Sequence, residues 1–251
     1  VRGRLTTVTT CAALLVSAYV AAQPPAGPPP APRAPREAAP FDLTGQWVSI
    51  VNEDWRYRMM TAPPGDYPGL PLNSEGRRVA DAWDPSEDGA CEAYGAAGLM
   101  RIPTRLRIEW AGDDEIVIET DAGEQTRRLR FDSIDPGPRS LQGHSVARWA
   151  RAAAAPGLFP RRGGSPTGGY LEVVTTNLAP GWLRRNGVPY SRDAVLTEYF
   201  DRFPAPNGDE WLMVTSIVED PTYLMAPLVT SSHFKRESDR DHWNPKPCGV
   251  K

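Results

Sequence analysis

"RLRIEWAGDDEIVIETDAGEQTRRLRFD", residues 105–132, decides the fold class. Leu106 and Ile108 alternate with arginines and a glutamate, Ile116 and Ile118 with Glu115, Val117 and Glu119, and Leu129 and Phe131 with Arg128 and Arg130. A period of two puts one set of side chains on each face of a strand. The links "AGDD" and "DAGE" are short and contain glycine, so the stretch reads as a three-stranded meander.

The same pattern recurs further along. "DAVLTEYFDRF" (193–203), "EWLMVTSIVED" (210–220) and "LVTSSHFKR" (228–236) form a second meander, with Asn207-Gly208 as a strong turn signal. "LQGHSVARW" (141–149) and "GYLEVVTTNL" (169–178) supply two more strands between the meanders. At the front, "FDLTGQWVSIVNEDWRYRMM" (41–60) opens with a strand around Trp47 and continues with a second alternation, Trp55, Tyr57 and Met59 against Arg56 and Arg58. "LNSEGRRVADAWDP" (72–85) is the one clear helix: Asn73 or Ser74 caps it, Val79, Ala80 and Trp83 fall at helical spacing, and Pro85 stops it. The expected fold is therefore all-β, an antiparallel barrel of eight to ten strands with one short helix, with a two-sheet sandwich as the alternative.

Three segments lie outside this pattern. Arg2 and Arg4, an apolar run from Cys11 to Val20 and the small residues Val20-Ala21-Ala22 read as a signal peptide, 1–22. The apolar run is shorter than the roughly 20 residues that a spanning helix needs, so no stable membrane insertion is expected. Residues 23–40, "QPPAGPPPAPRAPREAAP", offer nothing to bury and read as a disordered linker. Residues 151–168 break the alternation and read as a flexible insertion within a single barrel domain, 41–251.

Charge and cysteine content narrow the function. With 28 Lys and Arg against 31 Asp and Glu the net charge is −3, and the basic residues are scattered, so nucleic acid is not an expected partner. Beyond the leader only Cys91 and Cys248 remain, and in the periplasm or outside the cell an even count favours a disulfide. Neither cysteine has a Cys-x-x-Cys partner. His233, Asp239, Asp241 and His242 lie in a charged tail without ligand spacing, so neither a metal nor a cofactor is expected.

The Gly-x-Trp of residues 45–47 resembles the first-strand motif of the lipocalin superfamily, whose tryptophan closes the barrel floor. Eight further pieces, "PLNSEGRRVADAWDP", "CEAYGAAGLMRIP", "QTRRLRFD", "GHSVARW", "VVTTNL", "NGVPYS", "LTEYFDRF" and "VEDPTYLMAPL", resemble in order and spacing a large set of secreted bacterial proteins of uncharacterised function. That resemblance implies an exported all-β domain and brings no activity with it; residues 151–168 replace the acidic-Gly-Asp turn usual at that place.

The sequence supports three functional readings. In the first, the barrel binds a small apolar or aromatic ligand, contacted by Trp55, Arg56, Tyr57, Arg58, Arg128, Trp149 and Trp211. In the second, His144 acts as the general base of a hydrolase or isomerase with Glu198, and His144, Arg128 and Glu198 converge inside one wall. The structural counterpart is an Arg–carboxylate lock that draws on Arg127 or Arg128 and on Glu198, Asp201 or Asp220. In the third, the domain is an accessory or protein-partner module of an envelope enzyme.

Overall fold

The two meanders become walls of one closed barrel, separated by one strand on one side and two on the other. The computed structural model describes residues 33–86, 91–132, 135–151, 169–239 and 241–248. These belong to a compact unit, Arg33–Lys251; Val1–Pro32, with the expected signal peptide and the start of the linker, lies outside the described residues. So does the expected insertion, apart from Arg151 at the end of a strand.

In chain order the strands are β1 (Gly45–Ile50), β2 (Arg105–Trp110), β3 (Glu115–Thr120), β4 (Ala122–Gly123), β5 (Thr126–Arg130), β6 (His144–Arg151), β7 (Gly169–Thr176), β8 (Gly181–Arg184), β9 (Val188–Tyr190), β10 (Val195–Pro204), β11 (Glu210–Glu219), β12 (Leu228–Glu237) and β13 (Lys246–Pro247). Nine of them close the barrel in the order β1-β12-β11-β10-β7-β6-β5-β3-β2, β2 pairing back onto β1. The short β8 and β9 form a separate hairpin, and β13 lies parallel to β4.

The barrel differs from the expected all-antiparallel one at a single seam. Directions alternate around an antiparallel ring, so an odd number of strands cannot close without a parallel pair. Here β5 and β6 supply it, joined only through Leu129↔Ser145 and Arg130↔Val146, whereas β10 and β11 pair continuously from Val195↔Glu219 to Pro204↔Glu210.

Alternation sorts the side chains as the sequence implies. Trp47, Leu106, Ile108, Ile116, Ile118, Leu129, Leu171, Val173, Phe200, Leu212, Val214 and Phe234 fill the interior in one apolar cluster. Arg128, Arg148 and Glu109 face outward, the inverse of a barrel whose outer wall meets lipid. No helix among the described residues is long and apolar enough to cross a membrane.

The two ends close differently. At one end Phe41, Trp110, Phe131 and Trp149 pack together, with ring centroids 5.4–6.5 Å apart. Residues 33–40, expected as linker, are ordered there. Pro35–Ala38 forms a helical turn, the Pro35 carbonyl accepts a 2.8 Å hydrogen bond from Trp149 Nε1, and Arg36 N donates to Asp113 O at 2.9 Å. A proline-rich tail becomes ordered because it covers tryptophan that would otherwise face water.

At the other end a second apolar cluster of Tyr67, Leu72, Ala80, Leu178, Leu183, Val188, Tyr190, Leu196, Val218 and Leu224 seals the barrel. The Ser74–Asp81 helix caps as expected, with Asn73 Oδ1 accepting from Gly76 N at 2.8 Å. Trp83 closes on the β8–β9 turn, where Gly187 has φ +77° and an added Cβ would lie 2.1 Å from the Trp83 ring. Cys91 and Cys248 are bonded, tying the C-terminal tail to this end.

Candidate anion-binding site

The buried acid lies at the seam. Glu198 and Arg127 are fully buried and form a bidentate pair, Arg127 Nη1–Glu198 Oε1 at 3.0 Å and Nη2–Oε2 at 2.6 Å. Thr175 Oγ1 lies 3.4 Å from Arg127 Nη2 and 2.8 Å from Ser145 Oγ. Arg127 precedes the two residues through which β5 meets β6, so its guanidinium reaches across the gap to β7 and β10. It stitches the seam from within.

This arrangement corrects the expected convergence of His144, Arg128 and Glu198. Ser145 and Ala147 face the core, so His144 lies on the opposite face of β6 from Glu198. Arg128 also points outward, to Glu115. The interior cation is its neighbour Arg127, because Leu129 occupies the core and residues two apart share a face. Asp220 is buried for a local reason: its carboxylate accepts from Ser191 N at 2.6 Å, Ser191 Oγ at 2.8 Å and Thr222 N at 3.0 Å. Burial raises the Asp201 carboxyl, which has no arginine partner among the described residues.

The second alternation expected after β1 is a helical turn, Trp55–Met59. β1 ends at Ile50, and Asp54, at φ 48°, leads into the helical turn in place of a second strand. Arg58 turns inward, and all three guanidinium nitrogens are used: Nε to Arg101 O at 2.9 Å, Nη1 to Glu53 Oε1 at 2.6 Å and Nη2 to Ser49 Oγ at 3.1 Å. Glu53 also receives His233 Nδ1 at 3.1 Å. Arg56 and Tyr57 both hold Asp66, at 2.8 and 3.1 Å, and Trp55 is 63% exposed. Trp149 and Trp211 belong to the far end of the barrel, one within the aromatic cluster and the other on the outer wall between Phe203 and Lys235. Of the expected ligand contacts, only residues 55–58 come together.

What joins them is a set of arginines that strand patterning did not single out. A cavity of about 80 Å³ is lined by the charged residues Asp54, Arg101 and Arg184 together with the apolar residues Leu70, Leu183, Val218, Leu228 and Val229. A smaller one of about 20 Å³ adjoins it and shares Arg101, Leu183 and Arg184, adding Tyr57, Arg58 and Arg185. The first has room for a carboxylate- or phosphate-sized group, the second for about one water. Together they present four arginines against one aspartate.

Three of the four arginines are engaged. Arg58 is saturated, Arg101 Nη2 meets Asp54 Oδ2 at 2.8 Å, and Arg185 Nη2 donates to Arg58 O at 3.0 Å. Arg184 has no carboxylate within salt-bridge distance among the described residues: its guanidinium stacks 4.4 Å from the Tyr57 ring centroid, Nη2 reaches Pro68 O at 3.3 Å, and Nη1 is buried without a hydrogen-bond partner. Burial lowers the Arg184 pKa, the charge of Arg101 lowers it further, and Asp54, Tyr57 and Asp66 oppose. Burial lowers that of Arg58 as well, against Glu53 and with Arg101. Both stay protonated at neutral pH, so the local field favours an incoming negative group.

The signal for this site lay in "GWLRRNGVPY", residues 181–190: Asn186-Gly187 marks a tight hairpin, which holds Arg184 and Arg185 at its tip. Compared with family models, with curated proteins and with solved structures, the chain finds no match in any of the three.

Proposed function

We propose that the protein is an exported β-barrel domain of the bacterial cell envelope that binds a small amphipathic anion in the arginine-lined cleft. The observation that carries this reading is the buried, unpartnered Nη1 of Arg184, a residue that lines both cavities. A buried donor without a partner costs about 1–3 kcal/mol, and a carboxylate or phosphate oxygen removes that cost. Leu70, Val218 and Leu228 in the same lining accept a short apolar chain. The barrel interior is packed with its own side chains, so the ligand site moves from inside the barrel, where the lipocalin resemblance would put it, to one end. Export rests on the leader-like residues 1–22 and agrees with the Cys91–Cys248 bond.

Calorimetric titration with hexyl phosphate tests the ligand class, with hexyltrimethylammonium as the control of opposite charge. Binding of the phosphate alone, weakened about tenfold or more in Arg184→Gln, is the expected result, since a charge-assisted hydrogen bond contributes about 1.5–3 kcal/mol. Equal affinity in Arg184→Gln would sink the reading. Mass measurement of the secreted product tests export, with Gln23 as its expected first residue.

A further inference from the structure

The exposed apolar side chains are unevenly placed. Among the described residues the large hydrophobic side chains left exposed are Trp55, Met59, Met60, Phe203, Met225 and Val229. All but Phe203 belong to the arginine-rich end. Trp55, Met59 and Met60 extend from the turn whose Asp54, Tyr57 and Arg58 line the two cavities. Val229 lines the larger cavity itself, and Met225 is held beside it by its backbone bond to Pro71. Trp55, Met59 and Met60 are 63%, 56% and 55% exposed, and they occupy one short turn. Leaving so much apolar surface in water on a single rim is unfavourable unless something covers it.

The charges at this rim identify the cover. Arg56, Arg58, Arg101, Arg184 and Arg185 face Glu53, Asp54 and Asp66, a local excess of positive charge on a chain whose net charge is −3. Tryptophan and methionine beside arginine match the layering of a lipid surface. Amphipathic rings and thioethers suit the headgroup–acyl boundary, and guanidinium suits the phosphate just above it.

We propose that the arginine-rich end docks on an anionic phospholipid surface, with Arg184 and Arg101 taking a headgroup phosphate and Trp55, Met59 and Met60 entering the interface. This rests on the cleft being an anion site, and it names the anion as a membrane lipid. The barrel stays outside the bilayer: the contact is peripheral and confined to one rim.

The test is co-flotation of the full chain with vesicles of phosphatidylcholine alone and with about one third phosphatidylglycerol, the second carrying brominated acyl chains in a parallel fluorescence experiment. Any contribution from the apolar residues 11–20 is common to every variant, so comparison between variants isolates the rim. Expected are binding that requires phosphatidylglycerol, a roughly tenfold loss in Arg184→Gln and in Trp55→Ser/Met59→Ser, and bromine quenching that disappears in Trp55→Phe. Equal binding to both vesicle types, or quenching unchanged in Trp55→Phe, overturns the proposal. If hexyl phosphate binds through Arg184 but vesicles do not bind, the cleft reading stands and the lipid surface falls. If vesicles bind through Trp55 but hexyl phosphate does not bind, the headgroup role of the cleft falls, and this proposal with it.

Discussion

At one end of the barrel Phe41, Trp110, Phe131 and Trp149 stack on one another beside the Pro35–Ala38 turn; at the other, Arg58, Arg101, Arg184 and Arg185 gather over Leu183, Val218 and Leu228. Both ends must keep water from the same apolar interior. The first does so with rings and a stretch of the chain's own tail, so its aromatic groups serve one another. The second does so with a layer of helix and hairpin, and its outer surface is left polar, cationic and edged with exposed Trp55 and Met59. A tryptophan therefore marks no site by its presence. What surrounds it decides, and the cationic end holds the Nη1 of Arg184, which with Nε of the seam residue Arg127 is one of two buried guanidinium nitrogens without an acceptor among the described residues.

The largest expected effect lies between the two ends, at the seam. Glu198→Ala leaves Arg127 charged and buried, and the loss should reach about 3–5 kcal/mol in urea unfolding. Arg127→Met/Glu198→Leu should recover most of it, because removing both charges also removes their desolvation cost. A double variant as unstable as the single one would mean that the pair closes the seam by its hydrogen bonds to Thr175 rather than by filling it.

Next comes the aromatic end. Trp149→Ala removes a ring packed against three others together with a hydrogen bond to Pro35, and should lower stability by about 3 kcal/mol. It should also release residues 33–40, measurable as faster amide exchange of Arg36. Cys248→Ser should cost about 2 kcal/mol, low for a bond spanning 157 residues, because the tail it secures buries little else. Two free thiols in denatured, unreduced protein that begins at Gln23, and so lacks Cys11, would exclude the bond.

The smaller effects separate the ends by pH and by ring. Hydrogen bonding to Arg236, then to Arg202, holds the Glu210 carboxyl below its ordinary value. A depressed folded-state pKa stabilises above the usual glutamate range, near 4.3, and that stabilisation is lost as pH falls through the depressed value. Glu210→Gln should therefore flatten the acid limb of the thermal midpoint below about pH 4 and change little at neutral pH. Trp55→Ser should alter stability by no more than about 0.5 kcal/mol, the range of ordinary surface substitutions. A loss comparable to that of Trp149→Ala would remove the contrast between the ends.

Local chemistry in the sequence was enough for much of this. The alternation of residues 105–132 and 193–236 specified strands and faces because a strand's period is a property of its own backbone. The Asn73 cap, the turn glycine at 208, the pairing of Cys91 with Cys248 and the inward position of Glu198 were readable for the same reason. Other features depended on contacts between residues far apart in the chain. The strand count fixes the parity of the ring, and the ring requires one parallel seam. A helical turn led by the left-handed Asp54 stands where composition alone would have continued an alternation. Arg101 and Arg184 are 83 residues apart in sequence, and no periodicity brings them together. They meet because a helix, a hairpin and two barrel strands converge on one end, where tertiary packing left one nitrogen of Arg184 buried and without an acceptor.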